Sequence, residues 1–534
     1  MSRRLTGTVL GAAALITVLT VLARLTGFAR NWVFARTVGQ TDLNGTYMTV
    51  NMVPNILYEI VAGGALASLV VPLLARAVAD GDRRHVDRTA SALLTWTVLA
   101  LTPVAVVVAL AAEPIASFML RADGGASPES VAVGASMLRV FAPQVVLYGV
   151  GVVLTGVLQA HRKFGGPAFA PLLSSVVVIG AYVTYAVVAP RGTDLDTLTT
   201  GQELILSVGT TLGVVALSLS LLVPLRGIGL RLRPALRFPA GVARQVRALA
   251  YAGVSALLAQ QISVVVALLL SNDVSQVTTA VYFQAQTLYL LPWAVLAVPV
   301  ATTVFPRLSE AWSGGDRQTY QRQLAAATGM IVVLSCGAAA MLVAAARPLA
   351  RVMVQGAPGI DSVDALTRGV VGFAAGLLGY GLFALLSRAL YAAGQMLTAA
   401  VACVTGWLAV VAADLVLVRV LDDADRVLAL AVGNSIGMTV LGGGLLWAVL
   451  RAAGTEALAG VGALTIASVG GAVVAGAAGW SLEGLLDGGG VWAALWQGLV
   501  VAVVTGLVFA AVLAVSVRGR VIAALQPMWG DREG

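Results

Sequence analysis

Long apolar stretches separated by short connectors rich in Arg, Gly and Asp run along nearly the whole chain. A helix needs about 20 apolar residues to cross a bilayer, and the pattern predicts fourteen such spans. The first six lie near residues 8–36, 45–75, 91–112, 131–159, 168–189 and 202–224. The next six lie near 246–270, 276–306, 323–345, 366–393, 397–418 and 427–450, and the last two near 461–481 and 491–516. Several exceed what a bilayer requires, so tilting or extension into the cytoplasm is expected. The runs are unbroken instead of alternating, which excludes a transmembrane barrel. Arg3 and Arg4 ahead of the run Val9 to Ala23 have the look of a signal peptide, but the apolar pattern continues past Arg24 through Phe28 to Phe34. One long first helix, interrupted by charge, is therefore expected in place of a cleaved leader.

Composition agrees with this pattern. Of 534 residues, 59% are hydrophobic and 11% charged, and mean hydropathy is +0.92, whereas a soluble domain carries about a quarter charged residues. The 59 Gly suit helices that pack closely in lipid. The net charge of +8 has no basic domain to gather it, so nucleic acid is not an expected partner. The only cysteines, Cys336 and Cys403, sit in apolar stretches, and His85 and His161 lie far apart, so no metal-ligand spacing exists. Lys163, the only lysine, precedes Phe164, which excludes a Walker A loop; no cofactor is expected, and a membrane potential or ion gradient is the expected driving force.

The loops set the orientation. Twenty-one basic residues, among them Arg76, Arg83, Arg84, Arg88, Arg162, Lys163, Arg226, Arg231, Arg233 and Arg237, lie at the termini and in loops after even-numbered spans. The opposite loops hold seven: Arg121, Arg191, Arg347, Arg351, Arg368, Arg419 and Arg426. The positive-inside rule places both termini in the cytoplasm of a cell-membrane protein.

An internal repeat organises the chain. Val71-Pro72, Gly81-Asp82-Arg83, Pro114 and Met119 recur as Phe305-Pro306, Gly315-Asp316-Arg317, Pro348 and Met353 at an offset of 234, and Tyr148-Gly149 and Leu158 recur as Tyr380-Gly381 and Leu390 at 232. Six spans per copy give both copies the same orientation, an arrangement of transporters in which one half rocks against the other. The expected fold is an all-α integral membrane protein of about fourteen transmembrane helices, with an N-lobe (1–230), a parallel C-lobe (231–452) and a C-terminal helix pair with a cytoplasmic tail (453–534).

Charges inside spans are functional candidates, because each costs about 2.5–3.5 kcal/mol or more at a helix centre. Arg24 and Arg30 lie six residues apart, about 9 Å along the axis and roughly 120° off a common face. Gly27 between them permits a bend. A guanidinium fork suits phosphate oxygens, so the pair is a candidate for an anionic, diphosphate-like head group. The competing reading has them snorkel to an interface or pair with Asp42 or Glu59. In the second span Asn51, Asn55 and Glu59 recur every four residues and share a face, either lining water or sugar hydroxyls or forming an interhelical seam. Gln260, Gln261, Gln284 and Gln286 carry the same ambiguity, while Arg139 and Arg388 read as structural or interfacial. Asp414 is the clearest carboxylate of the second half's apolar core; with Asn434 or Thr439 it is a candidate for proton or cation coupling, although it lies only a turn or two from the outer end of its span.

At these residues the chain resembles a known family. Ala23-Arg24-Leu25-Thr26-Gly27-Phe28-Ala29-Arg30, Val53-Pro54-Asn55-Ile56-Leu57, Gly64-Ala65 and Val71-Pro72-Leu73-Leu74 resemble the N-terminal signature of the MurJ (MviN) lipid II flippases, of the multidrug/oligosaccharidyl-lipid/polysaccharide exporter superfamily. Arg139-Val140-Phe141-Ala142-Pro143-Gln144, Gly166-Pro167-Ala168-Phe169-Ala170-Pro171 and Pro292 through Val304-Phe305-Pro306-Arg307-Leu308-Ser309 extend the likeness to about residue 517. The resemblance implies a non-enzymatic flippase of peptidoglycan biosynthesis that moves undecaprenyl-diphosphate-linked lipid II from inner to outer leaflet by alternating access. It also implies a cationic central cavity for the head group and a groove on spans 13 and 14 for the lipid tail. The implied partners are the undecaprenyl-linked glycan lipid, membrane lipids, and cell-wall synthesis or division proteins.

The sequence also departs from the family pattern. The family's cavity usually presents arginines on spans 2 and 8, where this chain has Tyr58 and Thr287, and Asn31 and Gly63 stand at two usually acidic positions. Thr287 is counted with Arg24, Arg30, Asn51, Asn55 and Glu59 as a candidate substrate contact. Three explanations follow: the first-span arginines suffice, the cargo is a different polyprenyl-linked glycan, or transport has been lost. A multidrug antiporter of the superfamily would need an acidic cavity, against Arg24 and Arg30. A membrane glycosyltransferase using a polyprenyl donor would have to use Asp422-Asp423-Ala424-Asp425 as a metal site, where a solvated turn beside Arg419 and Arg426 is the simpler reading.

The orientation has a direct test. In intact cells, cysteines introduced as Asp196→Cys and Asp423→Cys are expected to react with impermeant thiol reagents, and those introduced as Arg84→Cys and Gln318→Cys are not. Labelling of the Arg84→Cys protein from outside would reverse the assigned topology.

Overall fold

The computed structural model describes residues 2–60, 74, 77–121, 126–230, 232–236, 242–486 and 490–516. Gly63, Gly64-Ala65 and Val71-Pro72-Leu73 of the sequence signature lie outside the described residues, as do Arg76, Arg231 and Arg237 of the connectors. The described elements are almost all helices. In chain order they are α1 (Ser2–Thr37), α2 (Asp42–Glu59), α3 (Arg83–Leu110), α4 (Ala112–Leu120), α5 (Pro128–Phe141), α6 (Gln144–Ala160), α7 (Gly165–Val188), α8 (Thr200–Leu219), α9 (Leu222–Arg226) and α10 (Val242–Asn272). There follow α11 (Gln276–Pro292), α12 (Val298–Ser313), α13 (Arg317–Ala344), α14 (Ala346–Val354), α15 (Val363–Ala374), α16 (Leu377–Ala392), α17 (Met396–Val420), α18 (Arg426–Ala453), α19 (Val461–Glu483) and α20 (Val491–Ser516).

Ten stretches among the described residues are long and apolar enough to cross a membrane, or eleven if the bent pair α15 and α16 is one span. These coincide with expected spans 3 to 6 and 8 to 14; spans 1, 2 and 7 fall on α1, α2 and α10, the last with a shorter apolar stretch, Ala256–Asn272. Large apolar side chains such as Leu110, Val187 and Trp492 are 80–84% exposed, which suits hydrocarbon as the surrounding solvent.

Boundaries shift where local chemistry acts. α3 starts eight residues before the expected span because Asp82 caps it, its side chain accepting the His85 N–H. Expected span 4 is two helices, α5 and α6, separated at Ala142-Pro143, where Pro143 has no N–H to extend the ladder. The helical ladder of α11 continues as one π turn, Trp293–Ala297, directly after Pro292. The two helices of span 10 meet at a 44° bend near Gly376.

The sequence repeat is also a repeat of local geometry. Gly81 and Gly315 have φ of +71° and +77°, the left-handed region that glycine enters freely. Asp82 and Asp316, with φ/ψ of −78°/79° and −80°/79°, then cap α3 and α13. Hydrogen bonds from Thr319, its backbone N–H first, hold the Asp316 carboxyl below its usual range. At the same offset of 234, α3 and α13 break at Ala111 and Ala345, and α4 and α14 follow.

The chain forms two compact units, Met1–Ala280 with Ala357–Ile360, and Val281–Gly356 with Asp361–Gly534. In the first, Phe34, Tyr47, Phe141 and Tyr182 anchor an aromatic core, and the Tyr47 hydroxyl lies 2.8 Å from that of Tyr182 and 2.6 Å from that of Thr210. α2 is capped from the connector between α7 and α8: the Asp194 carboxylate accepts the Asp42 and Leu43 N–H groups at 3.3 and 2.9 Å. In the second unit, helices meet through glycine. A Cβ on Gly379 of α16 would stand 2.1 Å from the Met438 carbonyl oxygen of α18, whereas one on Gly443 would meet nothing within 4 Å.

That contrast predicts stability. Gly379→Ala forces backbones apart and is expected to destabilise by about 1–3 kcal/mol, read as a lower unfolding midpoint of the detergent-purified protein. Gly443→Ala is expected to leave the midpoint unchanged or raise it slightly. Equal midpoints for the two variants would contradict the close approach.

Candidate functional site

α1 is one continuous helix through Arg24 and Arg30, with Arg24 exposed and Arg30 half-buried. A Cβ on Gly27, between them, would meet nothing within 4 Å, so the helix borders open space there. Arg30 lies within electrostatic reach of the Tyr47, Tyr148 and Tyr182 hydroxyls. The ion pairs found among the described residues are Arg121–Asp273, Arg347–Asp364, Arg368–Asp425 and Arg426–Asp423. Neither Asp42 nor Glu59 takes up Arg24 or Arg30. Arg30 is thus a half-buried cation near three tyrosines that, among the described residues, forms no ion pair.

The polar face of α2 meets the same tyrosines. The Tyr148 hydroxyl donates to Asn55 Oδ1 at 3.2 Å, and Asn55 Nδ2 donates to the Asn51 carbonyl oxygen at 2.7 Å. The buried Asn51 Oδ1 has no hydrogen-bond partner. Glu59 is exposed and within electrostatic reach of Tyr58 and Tyr148. The Tyr58 and Tyr148 rings pack with centroids 4.5 Å apart. Tyr148 thereby joins Arg30, Asn55, Tyr58 and Glu59 into one cluster. Sequence reasoning used Tyr148 only as a repeat marker; its recurrence as Tyr380, whose ring packs on Trp293 with centroids also 4.5 Å apart, was the available signal.

In the second unit, Thr287 turns its hydroxyl back onto the Phe283 carbonyl at 2.9 Å. Gln284 is buried with neither amide atom hydrogen-bonded. Asp414, near the end of α17, is 1% exposed, its carboxyl enclosed by protein. Neither of its carboxylate oxygens has a hydrogen-bond partner. It presses on α18 where Gly433 leaves room, for a Cβ there would lie 1.9 Å from Asp414 Oδ1. Asn434, the next residue, is buried with Oδ1 unpaired, and Tyr282 lies within electrostatic reach of Asp414. A carboxyl in this setting must be protonated or meet a cation.

The acidic run 422–425 is engaged by arginines, Asp423 with Arg426 and Asp425 with Arg368. Among the described residues no group of three or more His, Cys, Asp or Glu side chains is placed to hold a metal ion. Arg388 bonds the Ala384 carbonyl of its own helix, a structural role.

A multi-span helical bundle that keeps a half-buried cation outside any ion pair in one part and a buried, unpartnered carboxyl in another has the build of a membrane transporter. Solved structures with the same fold are of that class. An inward-facing multidrug-resistance MATE family transporter of the MOP superfamily is similar with a TM-score of 0.64 at 15% identity, over 82% of this chain and 98% of that one. A structure described as "Lipid II flippase MurJ, inward closed conformation" is similar with a TM-score of 0.73 at 18% identity, over 94% and 99%. The family model described as "Lipid II flippase MurJ" matches residues 34–501, and the chain belongs to that family. Among curated relatives, the lipid II flippase MurJ of Burkholderia cenocepacia is 28% identical over 80% of this chain and 82% of its own length. The probable lipid II flippase MurJ of Rhizobium meliloti is 26% identical over 63% and 61%.

Proposed function

We propose that this chain is a cell-membrane flippase that carries lipid II, an undecaprenyl-diphosphate-linked peptidoglycan precursor, from the inner to the outer leaflet by alternating access, with both termini in the cytoplasm. The observation that carries this reading is Arg30, half-buried on α1 beside the open space at Gly27 and in no ion pair among the described residues. Membership of the MurJ family supports the cargo. Arg24 and Arg30 hold the diphosphate, their forks donating to its oxygens. Asn51, Asn55 and Glu59 offer acceptors and donors to the adjoining sugar. Thr287 contributes a hydroxyl where relatives present a cation, so the load on the α1 arginines is greater. The six-span copies 1–230 and 231–452 are the parts that rock, and the last two helices guide the lipid tail. Asp414, with Asn434, couples transport to the membrane potential or an ion gradient by taking and releasing a proton or small cation.

Replacement of an essential lipid II flippase by this protein is expected to restore outer-leaflet lipid II and growth. Arg30→Ala and Arg24→Ala are each expected to abolish that exposure with normal membrane insertion, since each lost charge-assisted hydrogen bond is worth about 1.5–3 kcal/mol. Arg30→Lys restores it only in part, because lysine keeps the charge without the fork. Normal exposure in both Ala variants would overturn the head-group role.

Asp414→Asn is expected to slow transport and blunt its dependence on membrane potential or pH, while leaving binding of the lipid intact. One charge crossing the field is worth about 2.3 kcal/mol per 100 mV. Unchanged transport rates across imposed potentials would return Asp414 to a structural role.

A further inference from the structure

The aromatic pair Tyr58 and Tyr148 forms one wall of a cavity of about 260 Å³ inside the first unit, lined from α2, α6, α7 and α8. Pockets for whole drug-sized ligands run to roughly 300–1,000 Å³, so this one suits a single ring. Its lining is graded along α6. Tyr148, Thr155 and Gln159 follow one another at spacings of seven and four and share a helical face that passes from aromatic to hydroxyl to amide.

One further polar group meets this face, and a second lies packed behind it. α7 brings Pro167 and Pro171 to the cavity, and Pro171 has no N–H to pair with the Pro167 carbonyl four residues earlier, which leaves a backbone acceptor there. α8 brings Ser218, fully buried, with a hydroxyl that has no hydrogen-bond partner. A Cβ on Gly151 would stand 2.9 Å from that hydroxyl, so the glycine is what lets α8 pack closely against α6 at the edge of the cavity. The described lining carries no charged side chain.

We propose that this cavity is a subsite for one uncharged pyranose ring of the cargo glycan. The tyrosine pair meets the C–H face of the ring, and Thr155, Gln159 and the Pro167 carbonyl exchange hydrogen bonds with its hydroxyl or acetamido groups. A hydrocarbon tail would leave the Thr155 hydroxyl, the Gln159 amide and the Pro167 carbonyl desolvated and unpaired. A phosphate would find no cation in the lining and is held instead at Arg30, which acts on Tyr148 at the aromatic end. The substitution of Tyr58 for the arginine expected on this helix then exchanges charge for ring contact: head-group affinity moves from the phosphate toward the sugar. The subsite rests on the flippase reading above.

Binding of two probes to the full-length protein in detergent micelles, measured by native mass spectrometry, tests it. The probes are undecaprenyl diphosphate and undecaprenyl diphosphate bearing a single N-acetylhexosamine. The unaltered protein is expected to bind the sugar-bearing probe more tightly. Thr155→Trp, which fills the cavity, and Gln159→Leu, which removes the amide, are each expected to weaken the sugar-bearing probe about tenfold and to leave the bare diphosphate unchanged. Arg30→Ala weakens both probes. Should Thr155→Trp aggregate, Gln159→Leu decides alone. Equal loss for both probes in the cavity variants, or no discrimination by the unaltered protein, would overturn the sugar subsite while leaving the flippase reading standing. Failure of the unaltered protein to bind either probe would overturn both.

Discussion

Hydrocarbon offers a backbone no hydrogen-bond partner, and the rest of this structure depends on that constraint. Each crossing segment must satisfy its own N–H and C=O groups, so the described residues are almost all helix. With lipid as solvent, apolar side chains gain nothing from turning inward, and helices gain contact through close approach. Gly379 against the Met438 carbonyl and Gly433 against Asp414 are such approaches. The interior is therefore free to hold polar groups. Tyr47, Tyr182 and Thr210 are linked there by hydrogen bonds, and Ser218 and Asp414 are buried without partners.

The sequence repeat recurs as local backbone geometry, while the side chains within the helices differ between its two occurrences. The Gly-Asp-Arg turns at 81–83 and 315–317 adopt matching backbone angles because the same residues face the same requirement, a left-handed glycine followed by a helix cap. Inside the helices the copies part company. By the offset of 234, Arg30 corresponds to Val264, and by the offset of 232, Asp414 corresponds to Tyr182. Tyr148 and its counterpart Tyr380 each pack on an aromatic ring, Tyr58 and Trp293, with centroids 4.5 Å apart, although by the offset of 234 Tyr58 corresponds to Pro292. Among the described residues, Arg30 of the first unit and the fully buried Asp414 of the second both stand outside any ion pair.

Hydropathy located eleven of the expected spans on apolar stretches of the structure, because a segment long enough to cross a bilayer must be continuously apolar whatever surrounds it. Its boundaries were less legible. Capping by Asp82 lengthens α3 beyond its apolar run, and Pro143 divides a stretch whose hydropathy is unbroken. Arg24, Arg30, Asn51, Asn55 and Glu59 were legible as candidates because each polar group in a span carries a desolvation cost that calls for a reason.

The sequence by itself determined the helical membrane class, the repeat and the identity of the intramembrane charges, since each follows from transfer energies and periodicities that act along the chain. The tertiary structure decided which of those groups meet. Tyr148 meets Asn55 and Tyr58 although it lies about ninety residues from them, and Asp414 is enclosed against Gly433, nineteen residues further along. Such contacts depend on the rotation of each helix about its axis and on how closely neighbours pack, and a pattern read along one helix carries neither quantity.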